Sequence, residues 1–127
     1  MNENMPEKIV EKLRQTINKG KYGRDYTIVP RDKNNKLREE YIIDDYKIKS
    51  ILLSLNADDY IKTEDSNNVD FPDDIVHIFK KDVSLIKRYS EKIEPQIVGL
   101  YIKFTWTNQV EFGNLIFISF HKWDEES

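Results

Sequence analysis

Ile97-Val98-Gly99-Leu100-Tyr101-Ile102-Lys103-Phe104-Thr105-Trp106-Thr107, followed after a turn-rich interval by Leu115-Ile116-Phe117-Ile118-Ser119-Phe120-His121, is the stretch that decides the fold. In the first run Val98, Leu100, Ile102, Phe104 and Trp106 alternate with Gly99, Tyr101, Lys103, Thr105 and Thr107. Successive side chains of a strand point to opposite faces, so this period of two predicts a half-buried strand. In the second run Ile116, Ile118 and Phe120 form the matching apolar set. An antiparallel hairpin that turns over residues 109–113 and sets Ile102 opposite Phe120 also sets Tyr101 opposite His121 and Lys103 opposite Ser119. A phenol, an ammonium and an imidazole then share one outward face. That suits a reactive or phosphate-binding surface, and equally the wet face of any sheet.

Length and composition bound what surrounds the hairpin. With 127 residues the chain can bury one hydrophobic core and is too short for two ordinary ones, so a single domain over residues 1–127 is expected. Hydrophobic residues are 39% of the chain, and two Trp, seven Tyr and six Phe supply bulk for that core, while 34% charged residues demand an ionic surface. The longest apolar run, residues 115–120, is far too short for a bilayer span, and the N-terminus lacks the apolar region of a signal peptide. A cytoplasmic protein without membrane contact is the expectation. Cysteine is absent, which removes disulfides, thiolate nucleophiles and cysteine-ligated zinc together. With His77 and His121 as the only histidines, neither a transition metal nor another cofactor is expected.

The net charge of −3 hides an asymmetry. Residues 1–38 carry ten Lys or Arg against five Asp or Glu, and the remainder carries ten against eighteen, so the first third is +5 and the rest −8. Scatter among solvated side chains accounts for such a split; so does a local basic patch that collects phosphates beside an acidic body.

Working back from the hairpin, residues 75–80 read as a strand, and residues 60–63 as a shorter one. Between them the polar segment 64–74, with Pro72, marks a surface loop. Residues 82–96 hold Leu85, Ile86, Tyr89 and Ile93 at spacings that allow a helical turn or two before Pro95, and they read as a partly helical insertion. Near the N-terminus, Pro6 opens a helix on which Ile9, Val10, Leu13 and Ile17 form one stripe, with Gly20 just beyond. Asp44 or Asp45 caps a second helix carrying Ile48, Ile51, Leu52 and Leu55, with Asn56 as its stop. The intervening residues 21–38 mix turn and basic residues around the short apolar run 26–29. Two helices followed by three or four strands joined by turns predict an α+β domain, two N-terminal helices packed on a mainly antiparallel sheet.

Familiar catalytic motifs are missing. There is no G-x-x-x-x-G-K-[ST], no G-x-G-x-x-G, no H-E-x-x-H and no G-x-S-x-G, and four glycines cannot furnish a glycine-rich nucleotide loop. Asp58, Asp59, Glu64, Asp65, Asp70, Asp73 and Asp74 form an acidic neighbourhood without the spacing of an EF-hand, which reads as a solvated loop. His121, at the end of a strand, titrates in a range that suits a general acid or base, though a lone surface histidine is also often incidental. Lys62, and Arg31 with Lys33 and Lys36, are further cationic candidates beside Tyr101 and Lys103. Together these types suit phosphodiester transesterification in RNA: the 2′-hydroxyl must lose a proton, the leaving 5′-oxygen must gain one, and cations must hold the charge that builds on the phosphate.

Arg31-Asp32-Lys33-Asn34, Ile51-Leu52-Leu53-Ser54-Leu55, Asp58-Asp59-Tyr60, Ile75-Val76-His77-Ile78-Phe79, Leu100-Tyr101-Ile102-Lys103 and Ile118-Ser119-Phe120-His121 occur in an order that resembles the MqsR-like toxins of type II toxin–antitoxin systems. The resemblance spans residues 9–121. It implies a RelE-like fold, endoribonuclease activity against mRNA, which the residue types above would perform without a metal, and a cognate antitoxin that neutralises the toxin; the basic N-terminal third separately suits a ribosome-associated factor, which makes the ribosome a further candidate partner. Lys62 corresponds to the lysine after the family's Asp-Tyr or Asp-Phe pair, Tyr101 to the tyrosine of its Tyr-x-Lys strand, and His121 to a last-strand position where some relatives have lysine. A glutamine of the family has no counterpart in residues 72–74, and the pI of about 5.4 is low for a ribonuclease toxin. Residues 82–96 also look longer than in the family. The resulting expectation has Lys62, Tyr101 and His121 as catalytic residues and Arg31, Lys33 and Lys103 on the RNA. Its rival is a non-catalytic binding module on the same fold, an inactive relative or an immunity-like protein whose acidic surface grips a basic partner.

Overall fold

A computed structural model describes residues 5–65, 75–106 and 115–123. In chain order these form α1 (Pro6–Lys19), β1 (Tyr26–Ile28), α2 (Asp32–Glu40), α3 (Asp45–Leu53), a 3-10 turn (Ala57–Asp59), β2 (Tyr60–Asp65), β3 (Ile75–Ile86), β4 (Pro95–Trp106) and β5 (Leu115–Lys122). The five strands make one sheet in the order β1-β5-β4-β3-β2. Strands β2 to β5 run antiparallel to their neighbours, and β1 alone lies parallel, against β5. Three helices and this sheet form a small two-layer α+β domain. Among the described residues no helix is long and apolar enough to cross a membrane.

The apolar stripes account for the first layer. Pro6 stands at the start of α1, where a missing N–H costs nothing, and Ile9, Val10, Leu13 and Ile17 are all buried. Gly20 ends the helix where the chain doubles back: a Cβ there would come within 2.6 Å of the Asp25 Cβ and 2.7 Å of the Thr16 carbonyl oxygen. Asp44 caps α3 by accepting from the Lys47 N–H at 2.8 Å, and Ile48, Ile51 and Leu52 turn inward. The helix stops at Leu53 with Ser54 as its cap, so Asn56 does not end it; its side chain instead caps the 3-10 turn, accepting from the Asp58 N–H. The helices meet the sheet over Phe79, Phe104, Phe117 and Phe120, with Phe79 and Phe104 stacked at 5.5 Å.

The β4–β5 register agrees with the one read from the alternation: Tyr101 pairs with His121, Ile102 with Phe120 and Lys103 with Ser119. The next rung departs from it. Phe104 pairs with Phe117, which leaves Ile118 without a partner on β4. This bulge reverses the parity of β5. Leu115, Phe117 and Phe120 all reach the helix-side core, while Ile116 and Ile118 pack with Val76 on the opposite face. Ile116, Ile118 and Phe120 therefore do not share a face, as uninterrupted alternation predicts.

Two segments differ from the sequence expectation. Residues 82–96 are not a helical insertion. β3 continues through Asp82 to Ile86 and β4 begins at Pro95, so both ends of this segment, residues 82–86 and 95–96, are a regular extension of one hairpin, with Val83 opposite Val98 and Ile86 opposite Pro95. Helical spacing in Leu85, Ile86, Tyr89 and Ile93 is overridden because Val83 and Leu85 alternate into the core. Within residues 21–38, a third helix, α2, follows β1. Only Leu37 on it is a buried apolar residue, so it carries no apolar stripe. Asn34 explains its position. β1 ends at Ile28 and leaves the edge of β5 bare beyond Phe117; there the Asn34 amide nitrogen donates to Val29 O at 2.9 Å and to Ile118 O at 3.0 Å, and its oxygen accepts from Phe120 N at 2.8 Å. One buried side chain thus finishes the edge pairing that β1 abandons, and it does so at the bulge.

Candidate functional site

The helices cover one face of the sheet, and the other carries the polar stripe. From β2 to β5 one rung reads Lys62, Ile78, Lys103 and Ser119, and the next reads Lys80, Tyr101 and His121. All four sequence candidates on strands, Lys62, Tyr101, Lys103 and His121, therefore stand on this open face. The structure brings them together unevenly. Tyr101, Lys103, Ser119 and His121 are on the adjacent strands β4 and β5, whereas Lys62 is two strands from Lys103, about 10 Å away at ordinary strand spacing, with its ammonium 3.1 Å from Glu64.

Tyr101 and His121 stack, with ring centroids 5.4 Å apart and planes 24° from parallel. This contact and the approach of α2 leave His121 only 7% exposed. It is thus a floor residue, not the outward surface residue that strand alternation predicts. The imidazole Nδ1 lies 2.8 Å from the Lys122 carbonyl oxygen. A carbonyl only accepts, so Nδ1 carries the hydrogen and Nε2 is the nitrogen that can take up a proton. Burial, and then the Glu64 carboxylate, push the Tyr101 phenol above its ordinary range, with Lys62 opposing them. The phenol therefore stays protonated near neutrality.

Helix α2 supplies the cationic wall. Arg31, Asp32, Lys33 and Asn34 at its N-terminus, with Ile118, Ser119 and His121, line one cleft of about 270 Å³. Lys33, Lys36, Leu37, Glu40, His121 and Lys122 line a second of about 190 Å³. His121 and Lys33 belong to both. The N-cap residue Arg31 makes no side-chain hydrogen bond to the first turn of α2, and this positive end of the helix lies at the first cleft. Lys122 is tied to Glu40 at 2.6 Å; that hydrogen bond lowers the Glu40 carboxyl and raises the Lys122 ammonium. Arg31 and Lys33, far from β5 in sequence, thus share a cleft with His121.

The open face holds residues that the sequence reading passed over. Trp123 lies against Tyr101 at 5.3 Å, and the Lys80 ammonium is 5.1 Å from the Trp123 ring centroid. Continuing the alternation of β5 two residues past His121 reaches Trp123, so the signal was present. Elsewhere, the acidic neighbourhood is partly engaged: Asp59 receives Lys81 at 3.3 Å and Glu64 receives Lys62. Asp70, Asp73 and Asp74, and the region compared with the family's glutamine, fall outside the described residues. His77, the other histidine, is buried on the helix side beside Phe104 and Trp106. The Tyr60 hydroxyl donates to Thr63 Oγ1 at 2.8 Å, which in turn lies 2.9 Å from His77 Nδ1. Burial, with a smaller effect from Lys12, lowers the His77 pKa to about 4, so its imidazole is neutral near pH 7.

Compared with family models, with curated proteins and with solved structures, the chain finds no match in any of the three.

Proposed function

We propose that the open face binds RNA and cleaves it without a metal, and that the protein is an endoribonuclease toxin on a RelE-like fold, paired with a cognate antitoxin. The observation that carries this reading is His121, stacked on Tyr101 on one side and sharing a cleft with Arg31 and Lys33 of α2 on the other. The stack puts a proton acceptor, His121 Nε2, beside a protonated phenol. In the reaction His121 takes the proton of the ribose 2′-hydroxyl, and the 2′-oxygen forms a bond to phosphorus as the bond to the 5′-oxygen breaks. Tyr101 gives its proton to the departing 5′-oxygen, leaving a 2′,3′-cyclic phosphate and a 5′-hydroxyl. Arg31, Lys33, Lys103 and the N–H groups at the start of α2 stabilise charge on the non-bridging oxygens. Lys62, held by Glu64, acts on the flank of the site through the field it exerts at Tyr101.

The test is incubation of the purified chain with a panel of mRNAs in chelator, with product ends mapped. Cyclic phosphate ends are expected, and His121→Ala and Tyr101→Phe should each lower the rate about 100-fold or more, the range of a positioned acid or base. Folded protein that leaves every RNA intact, and whose expression leaves growth unslowed, overturns the reading. A second reading, a non-catalytic protein-binding module on the same fold, is favoured by a separate observation. Tyr89, Ile93 and Ile97 are strongly exposed at and beside the turn joining β3 to β4, and clustered apolar surface of this kind marks protein contacts. Recovery of a protein partner with no RNA and no cleavage selects it.

A further inference from the structure

We propose that Trp123 is a stacking platform for an unpaired base, which makes single-stranded RNA the substrate class of the open face. This rests on the reading of that face as an RNA site. Tyr101 touches two rings, the His121 imidazole at 5.4 Å and the Trp123 indole at 5.3 Å. The three aromatic groups therefore form one contiguous cluster that connects the imidazole to the indole.

The two tryptophans are used differently. Trp106 is anchored to the helix layer: its Nε1–H donates to Thr16 Oγ1 at 3.2 Å and Lys12 covers its ring at 4.3 Å. Trp123 is 36% exposed and belongs to no core cluster of the described residues. Its seat is nevertheless specific. The Trp123 N–H donates to the Gly99 carbonyl at 2.7 Å. A Cβ at Gly99 would come within 3.2 Å of Asp82 Oδ1, 3.6 Å of Lys80 Cε and 3.8 Å of Trp123 Cβ. Only the Asp82 contact is tighter than ordinary packing, so Lys80 and Trp123 come up to the bare Gly99 backbone at van der Waals distance. Lys80 sets a cation 5.1 Å from the indole centroid, Lys103 stands one rung on from Tyr101, and Asp82 lies on the other side of the Gly99 seat. An exposed indole with one lysine at its ring, and a second cation farther along the same face, suits a nucleobase with its phosphate. The bases of a duplex are already stacked on each other and offer no free face, so the partner must be unpaired.

Labelling the whole protein with 5-fluorotryptophan gives two fluorine resonances, assigned with Trp123→Phe. A single-stranded 2′-O-methyl RNA decamer of mixed sequence, which cannot be cleaved, should shift the Trp123 resonance and leave that of Trp106 in place. The same strand in a duplex should shift neither. In cleavage assays Trp123→Ala should raise KM for single-stranded RNA roughly tenfold or more, with Trp123→Phe restoring most of the loss. A Trp123 resonance unmoved at saturating decamer, or an unchanged KM in Trp123→Ala, overturns the platform. If the resonance moves but no RNA is cut, the platform stands and the nuclease reading falls. If RNA is cut with Trp123 silent, the nuclease reading stands and the platform falls.

Discussion

Asn34 joins three segments through one amide. Replacing it with alanine leaves the Ile118 carbonyl and the Phe120 N–H buried without a partner, and each such orphan costs on the order of 1–3 kcal/mol. Asn34→Ala should therefore lower stability by about 3 kcal/mol in urea unfolding, more than truncation of any surface residue of α2. His77 makes a different prediction. Its folded pKa of about 4 lies below its ordinary 6.5, so between these values the unfolded chain binds the extra proton and stability must rise with pH. The His77 contribution is complete above pH 6.5, declines as pH falls, and changes no further below about 4. Urea midpoints measured across that interval should fall with acidification in the wild type, and less so in His77→Phe.

The hairpin of β3 and β4 is longer than its sequence suggests, and its turn carries a local cost. Tyr89 has a φ of +56° and is fully exposed, so it occupies the left-handed region without packing in return. Tyr89→Asn, a residue that tolerates this conformation, should raise stability by about 1 kcal/mol, visible as a higher thermal midpoint. The elements legible in the sequence are those whose burial follows a simple period. α1 and α3 carry complete apolar stripes, and β4 alternates cleanly as far as the bulge, so the rung of Tyr101 and His121 can be found by pairing Ile102 with Phe120. α2 escapes because its reason for being there is Asn34, a polar residue whose partners lie 84 and 86 residues away. The reversal at Ile118 escapes because one added residue leaves both sides of the bulge apolar. The basic wall beside His121 is invisible for the same reason, since only the fold brings Arg31 and Lys33 to it. Trp123, by contrast, continues a pattern already in view.

For the whole molecule, a net charge of −3 works against RNA binding, so any affinity must come from the local field of the open face and α2. With contacts from Arg31, Lys33, Lys80 and Lys103, at about 0.7 per phosphate for a single strand, the log–log dependence of affinity on salt should have a slope near −3. Removing one of them, as in Lys80→Ala, should flatten the slope by about 0.7 in filter-binding titrations, while Lys8→Ala on the far helix should leave it unchanged. The position of β5 also sets an order of events. It lies inside the sheet between β1 and β4, yet it is the last of the described strands in chain order, and the bare end of its edge is closed by a side chain made long before it. On the ribosome, β1 and Asn34 must wait without partners while most of the chain is made. A nascent chain therefore holds no assembled His121 site, and a protein able to cut messages would stay harmless to the message from which it is being translated.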